Sequence, residues 1–379
     1  MSFTFEFGPA VTLRNGVAED IGAFLPDGPV LFVTDANLRA IGLTEPALTE
    51  LREWHDVAVF DAVEEDPSEA SVLAAVALGR EAGAVSVVGF GGGSPMDVAK
   101  AAAYLLGSGD EIAGIYGVGR ARGEGLPLVL VPTTAGTGSE ATSISILTVG
   151  GTEKKGIVAP ALYADHALLD PLLTTGLPRH IIAATGVDAM VHAIEAFTSR
   201  DLKNPLSDLL AKEALGLLAA NIRTACDAPG DLAAREAMLR GAFLAGVAFA
   251  NAPVAGVHAL AYPLGGHFHV PHGLANTLML PHVLAHNMEA AGPMYAELAP
   301  LVDPALAPLG IEGRAQGFVE ALVAIAADIG LSPRLADVGV GAADCAMLAD
   351  EAMKQQRLLV NNPVAITRED ARRIYEAAL

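Results

Sequence analysis

Short apolar runs and longer stretches of mixed polarity alternate through the first half of the chain. Residues 29–35 (PVLFVTD), 55–60 (HDVAVF), 84–90 (AVSVVGF) and 127–134 (PLVLVPTT) are rich in Val, Leu and Phe. Their length and β-branched content predict strands. The near-absence of polar residues in the third predicts cover on both faces. Between these runs, residues 45–54, 68–83 and 94–106 read as helices. Alternation of this kind predicts a mostly parallel, doubly wound sheet with right-handed crossovers.

After about residue 180 the strand signals stop. Helices are predicted over 181–199, 205–224, 231–250, 255–264, 273–287, 314–329, 343–356 and 367–378, the last opened by Thr367 with Glu369 and Asp370 in its first turn. A chain of 379 residues has room for two domains. The expected organisation is an α/β dinucleotide-binding domain over 1–182 and an all-helical metal-binding and substrate domain over 183–379, with a ligand cleft between them.

Composition narrows the partners. Hydrophobic residues make up 52% of the chain, yet no uninterrupted apolar run reaches the length of a membrane span. The first residues, MSFTFEFGPAVTLRNG, lack the basic and apolar regions of a signal peptide, so the expected location is the cytoplasm. A net charge of −21 without clustered Lys/Arg argues against nucleic acid or anionic membrane as a partner. Cys226 and Cys345 stand far apart with no CxxC, which reads as two buried small hydrophobes rather than a disulfide framework or thiolate metal cluster.

Three constellations carry chemistry. Asp188 and His192 lie four apart in TGVDAMVHAIEAF, a helical stretch, so both side chains fall on one face about a turn apart. His258 and His272 add two imidazoles, completing a candidate set of one carboxylate and three histidines for a divalent metal. Gly89-Phe-Gly91-Gly92-Gly93-Ser94-Pro95-Met96-Asp97 follows the third strand. Ser94 is suited to cap the next helix, with Pro95 in its first turn and Asp97 closing a capping box. Such a loop and free helix N-terminus can cradle a diphosphate, or be only a tight turn. A second polar loop, from Pro132 to Thr142, follows the fourth strand, and Asp35 at the end of the first is a candidate ribose acid.

The segments GGGSPMDVAK, PTTAGTGSE, GVDAMVHAIEA and HALAYPLGG…PHGLAN, in this order, resemble the iron-containing (group III) alcohol dehydrogenase family. The resemblance implies an α/β N-terminal Rossmann-like domain plus an all-α C-terminal domain, the architecture of dehydroquinate synthase-like proteins and iron-dependent alcohol dehydrogenases. It implies Asp188, His192, His258 and His272 as ligands to Fe(II), with Zn(II) also possible. It further implies NAD(H) held by Gly91, Gly92, Gly93, Ser94 and Asp97, by Thr133, Thr134, Thr137 and Thr142, and by Lys155, with Asp35 favouring NAD(H). The implied reaction interconverts a small alcohol and its aldehyde or ketone, the metal acting as a Lewis acid on the substrate oxygen. FTFEFGPAVTLRNG resembles the family's N-terminal strands, which implies a homodimer.

One position departs from the family pattern. Tyr262 stands where many members carry a proton-relay histidine four residues after the ligand matching His258, leaving Tyr262, His267 or water as the relay. His267 lies in a Gly-rich segment read as a loop, and His269 is the weaker candidate. Alternatives on the same scaffold are a maleylacetate or hydroxy-acid reductase and a dehydroquinate-synthase-like lyase. A non-catalytic NAD- or metal-binding protein is the alternative of a different class.

Overall fold

The structure is a computed structural model and describes residues 2–150, 153–331 and 334–379. Two compact units emerge, one spanning Phe7–Gly176 and the other residues 2–6 with Leu177–Leu379.

Among the described residues the first unit has nine strands: β1 (Ala10–Leu13), β2 (Val30–Val33), β3 (Val57–Phe60), β4 (Ser86–Gly91), β5 (Gly117–Val118), β6 (Leu128–Pro132), β7 (Ile144–Val149), β8 (Glu153–Val158) and β9 (His166–Leu169). Its helices are α1 (Ala36–Ala40), α2 (Glu45–Trp54), α3 (Glu69–Glu81) and α4 (Gly93–Ser108). Six strands form a parallel sheet in the order β1-β9-β6-β4-β2-β3. The strand alternation explains why its central members are apolar throughout. Leu31, Val33, Val87, Leu128 and Leu130 feed one core, with Val72 and Ala75 of α3 and Val98 and Ala102 of α4. Their neighbours Val30, Phe32, Val88, Phe90, Val129 and Val131 feed the opposite core, with Leu48 and Leu51 of α2. Both faces are therefore covered, as a parallel sheet requires.

The four strands predicted from apolar runs are β2, β3, β4 and β6. A second sheet, β5-β8-β7, has the antiparallel hairpin β7–β8 at its heart and was not predicted. In ISILTV the apolar residues are interrupted by Ser145 and Thr148, EKKGIV opens on three charged residues, and both strands are only partly buried, so neither shows the apolar run of the central strands.

The second unit is helical: α5 (Arg179–Thr198), α6 (Pro205–Asp227), α7 (Leu232–Asn251), α8 (Gly256–Phe268), α9 (His272–Val302), α10 (Ile311–Asp328), α11 (Cys345–Ala352), α12 (Gln356–Leu359) and α13 (Arg368–Ala377). Helix α5 packs against α6, α7 and α9 and is buried without a break from Gly186 to Thr198. It is long and apolar enough to cross a membrane, but its burial is that of a core helix.

Two predicted boundaries are corrected. Helix α9, with Pro281 already inside the predicted span, runs on past residue 287 through Pro293 and Pro300. An interior proline costs a helix about 3 kcal/mol. The apolar series Val283, Leu284, Ala291, Tyr295 and Leu298 is fully buried, and this packing offsets the loss. Helix α8 likewise continues to Phe268, so the Gly265-Gly266 segment expected as a loop is helical and ends only where His269 turns left-handed at φ 55°.

Candidate functional site

Within the helical unit, Asp188 and His192 project from one face of α5, with Glu195 one turn further along the same stripe. His258 is the third residue of α8 and His272 the first of α9. The start of α9 reaches α5 because residue 273 has no side chain. A Cβ on Gly273 would lie 2.2 Å from the Ala184 carbonyl oxygen, a backbone atom that cannot step aside.

These elements bring the four predicted ligands together. One donor atom from each of Asp188, His192, His258 and His272 lies within 4.8 Å of every other. The Nε2 atoms of His192, His258 and His272 stand 3.8, 3.7 and 3.5 Å from Asp188 Oδ1. A tetrahedral ion with bonds of about 2.1 Å needs ligand atoms roughly 3.4 Å apart, and the three spacings to the carboxylate, 3.8, 3.7 and 3.5 Å, lie close to that value. Asn276, one turn past His272, reinforces the fit. Its Nδ2 donates to Asp188 Oδ1 at 2.6 Å and lies 3.2 Å from Nε2 of both His258 and His272. The positive end of an amide thus points at the focus of the same lone pairs that a cation would use.

Asp188, His192 and His258 are buried, whereas the His272 side chain is 40% exposed, so the cluster opens to solvent on the His272 side. Burial alone would raise the Asp188 carboxyl. The charges of His192, His272 and His258 and the Asn276 hydrogen bond outweigh it and hold the group below its ordinary range. The Phe249 ring lies tilted against His192 with ring centroids 4.5 Å apart. Tyr262 flanks the cluster, its ring 5.8 Å from that of His272 and 6.4 Å from that of His258.

His267 does not join this group. It lies nine positions along α8 from His258, about 13 Å along the helix axis, and its Nε2 faces Glu351 of α11 at 3.9 Å. The Gly-rich segment expected as a loop is helical, and it places His267 beside Glu351.

In the α/β unit, Val33 pairs with Gly89 and Gly91 with Pro132, so β2, β4 and β6 end side by side. Strand β2 has β3 on one side and β4 on the other, a reversal of strand order whose carboxyl-end crevice favours ligands. Gly91 adopts φ 153°, and a Cβ there would strike Pro95 at 2.7 Å. A Cβ on Gly93 would meet Thr137 at 2.9 Å, which shows how tightly the second loop lies on the first. Thr134 and Thr137 are partly exposed, while Thr133 and Thr142 are buried.

The expected capping box is absent. Gly92 is the N-cap of α4 with no side-chain cap bond, and Ser94 and Pro95 lie inside the helix. Asp97 turns away from the helix start. It accepts from Ser139 Oγ at 2.7 Å and from the Ile146 amide at 2.9 Å, tying the second loop and β7 to α4. Helix α4 therefore begins with amide groups that no side chain caps, an arrangement suited to an anion. Asp35 caps α1 with Oδ1, which accepts from Asn37 and Leu38. Lys155 sits on β8, 3.4 Å from Glu153 and above the Tyr116 ring.

Three participants escaped the sequence reading. Glu195 and Asn276 contact the histidine cluster, and Lys100 is buried under the second loop. Lys100 Nζ donates to Ser139 Oγ at 2.7 Å, to Thr142 Oγ1 at 3.1 Å and to the Ile144 carbonyl at 2.8 Å. Burial pulls its pKa down to about 8, against the opposing charges of Asp97 and Glu140. The signals were a lone lysine in the apolar run VAKAAAYLL, a glutamate three residues after His192, and an asparagine four after His272.

The comparisons with known proteins agree along the chain. Residues 9–171 match the family model described as iron-containing alcohol dehydrogenase, and residues 182–379 the one described as Fe-containing alcohol dehydrogenase family, C-terminal. Long-chain-alcohol dehydrogenase 1 of Geobacillus thermodenitrificans (strain NG80-2) is 40% identical over 354 residues, covering 92% of this chain and 89% of that protein. A crystal structure of a 1,3-propanediol oxidoreductase superposes with a TM-score of 0.96 at 33% identity, covering all of both chains. Sulfoacetaldehyde reductase from Bifidobacterium kashiwanohense, solved in complex with NAD+, gives 0.88 at 29% identity over 100% of this chain and 99% of that one.

Two predictions follow from the geometry. Gly273→Ala forces the start of α9 off α5 and should cost about 1–3 kcal/mol by overpacking. Melting curves with and without Zn(II) should show a lower apo midpoint and a smaller metal-induced rise. Burial pushes Glu140 up to about 7 from its ordinary 4.5. Between those values the folded chain holds a proton that the unfolded chain releases, so this group's contribution to stability falls as pH rises from about 4.5 to about 7. Glu140→Gln removes that slope, and its melting midpoint should gain on the native protein's between pH 5 and pH 8.

Proposed function

Because the chain belongs to the iron-containing alcohol dehydrogenase family, we propose that it is a metal-dependent, NAD(H)-linked oxidoreductase interconverting a small alcohol and its aldehyde or ketone. The observation that carries this reading is the convergence of three imidazole Nε2 atoms on Asp188 Oδ1 at near-tetrahedral spacing. Asp188, His192, His258 and His272 are the proposed ligands, to Fe(II) or Zn(II). The set contains no thiolate and only one negative charge, which preserves the electrophilicity of a dication.

When bound, the metal supplies Lewis acidity at the substrate oxygen, and the nicotinamide accepts or delivers hydride. The chain's own residues do the rest. The exposed His272 side leaves a route for the substrate oxygen, and Phe249 lies against the buried ligand His192. Tyr262 Oη is the proposed carrier of the hydroxyl proton, since its ring lies beside both His258 and His272. On the α/β unit, Gly91, Gly92 and Gly93 with the uncapped start of α4 are proposed to take the diphosphate, and Thr134 and Thr137 to contact the cofactor beside it. Asp35 commits Oδ1 to its helix cap, and Oδ2 is proposed to bond the adenosine ribose, where a 2′-phosphate would be repelled.

The direct test is metal-depleted protein reconstituted with Fe(II) or Zn(II) and assayed with NAD(H) on a panel of alcohols and aldehydes. Turnover that requires the metal supports the reading, and none with either ion contradicts it. For the cofactor, Asp35→Ser keeps a helix cap while removing the charge. It should raise kcat/KM for NADP(H) relative to NAD(H) about tenfold or more, consistent with relief of a charge repulsion of about 1.4 kcal/mol or more. An unchanged ratio would remove Asp35 from the discrimination.

A further inference from the structure

Glu195 is nearly fully buried and faces three donors at once. Its Oε1 accepts from the Val257 amide at 2.7 Å. Its Oε2 accepts from the Ala255 amide at 2.9 Å and lies 2.7 Å from His258 Nδ1. Glu195 is on α5, and all three partners lie at the start of α8, about 60 residues further along the chain. A carboxylate holding two amide hydrogen bonds offers only acceptors, so the third group facing it must also be a donor. His258 Nδ1 must then carry the ring proton. The amide Nδ2 of Asn276, also a donor, lies 3.2 Å from Nε2, so that nitrogen keeps its lone pair, and it stands 3.7 Å from Asp188 Oδ1 within the four-ligand cluster.

We propose that Glu195 is a positioning residue that locks His258 in the Nδ1–H tautomer and fixes its ring, so that Nε2 is presented to a divalent cation. The proposal rests on the reading of the four-residue cluster as a metal site. Glu195 is not itself a ligand, because both oxygens are engaged on the far side of the His258 ring from the cluster. It also brings a second buried negative charge to a site meant for a dication, which strengthens the imidazole as a ligand. Since the same oxygens hold the first amides of α8, seating of that helix and presentation of the ligand are one interaction. Glutamine cannot replace it: its amide has one acceptor oxygen, and its NH2 would oppose one of the three donors.

A neighbouring contact separates the two parts of this role. Asn362 Oδ1 accepts from the Gly256 amide at 3.3 Å and so helps seat the same helix start, and it exchanges further hydrogen bonds with Asn287. Loss of Asn362 loosens α8 without altering the partner of His258 Nδ1.

The experiment measures Zn(II) affinity by chelator competition and the His258 tautomer by 15N NMR, for the full-length native protein, Glu195→Gln and Asn362→Ala, with folding checked by circular dichroism. The native protein should bind Zn(II) with Nδ1 of His258 protonated. Glu195→Gln should bind about 10–100-fold more weakly and lose the single Nδ1–H state in the metal-free protein. Asn362→Ala should melt earlier yet keep the tautomer and most of the affinity. If Glu195→Gln retains native affinity and tautomer, the proposal is overturned. It is also overturned if Asn362→Ala loses as much affinity as Glu195→Gln, since helix seating alone would then account for the effect. If the native protein binds no metal, the reading of the cluster fails first.

Discussion

A carboxylate buried among three imidazoles is the constraint around which the helical unit is organised. Asp188 sits in the most buried stretch of α5, where an unpaired charge would cost several kcal/mol. It is tolerable because three rings and an amide surround it, and those groups come from three helices that must meet at one point. Each meeting is secured by a different close contact. Gly273 lets α9 touch the backbone of α5, Glu195 holds the start of α8, and Asn276 bonds Asp188 directly. The polar stripe Asp188–His192–Glu195 thus replaces, along one face of a core helix, the apolar packing found on the others.

The α/β unit solves a related problem with a cation. Lys100 is fully buried beneath the second polar loop, its ammonium satisfied by two hydroxyls and a carbonyl and balanced by Asp97 and Glu140. This bonding holds the Thr-rich loop against the glycine loop, where Gly93 and Thr137 nearly touch. The side chains that hold the two loops together are therefore largely beneath them. Asp97 and Thr142, expected at the cofactor itself, serve this underlying network in the structure.

How far the sequence reached follows from how local each signal is. Strands β2, β4 and β6 are buried on both faces and declare themselves as almost wholly apolar runs. Strands β7 and β8 are half-buried, and Lys154 and Lys155 give β8 the look of a loop. Asp188 and His192 were legible because helical spacing places them on one face, and His258 and His272 because ligand-type residues recur in the same chain segment. Asn276 also touches His272 one turn away. The contacts of Glu195 with His258, of Asn276 with Asp188 and His258, and of Lys100 with Ser139, however, join residues 18 to 88 positions apart, which no local spacing encodes. His267 was misplaced for the opposite reason: two glycines suggested a loop, but the buried Leu264 and the packing of α8 on α9 and α11 keep the helix intact past them.

The claim on which the functional account depends is that the four-residue cluster holds a metal through nitrogen and oxygen alone. X-ray absorption at the metal edge, with metal content determined on the same purified protein, tests it most directly. The account predicts one bound ion per chain with about four nitrogen or oxygen neighbours at roughly 2.0–2.2 Å and no sulfur, Cys226 and Cys345 being buried and outside the cluster. A protein that retains no ion after loading with Fe(II) or Zn(II), or one whose ion has a sulfur neighbour, would contradict it.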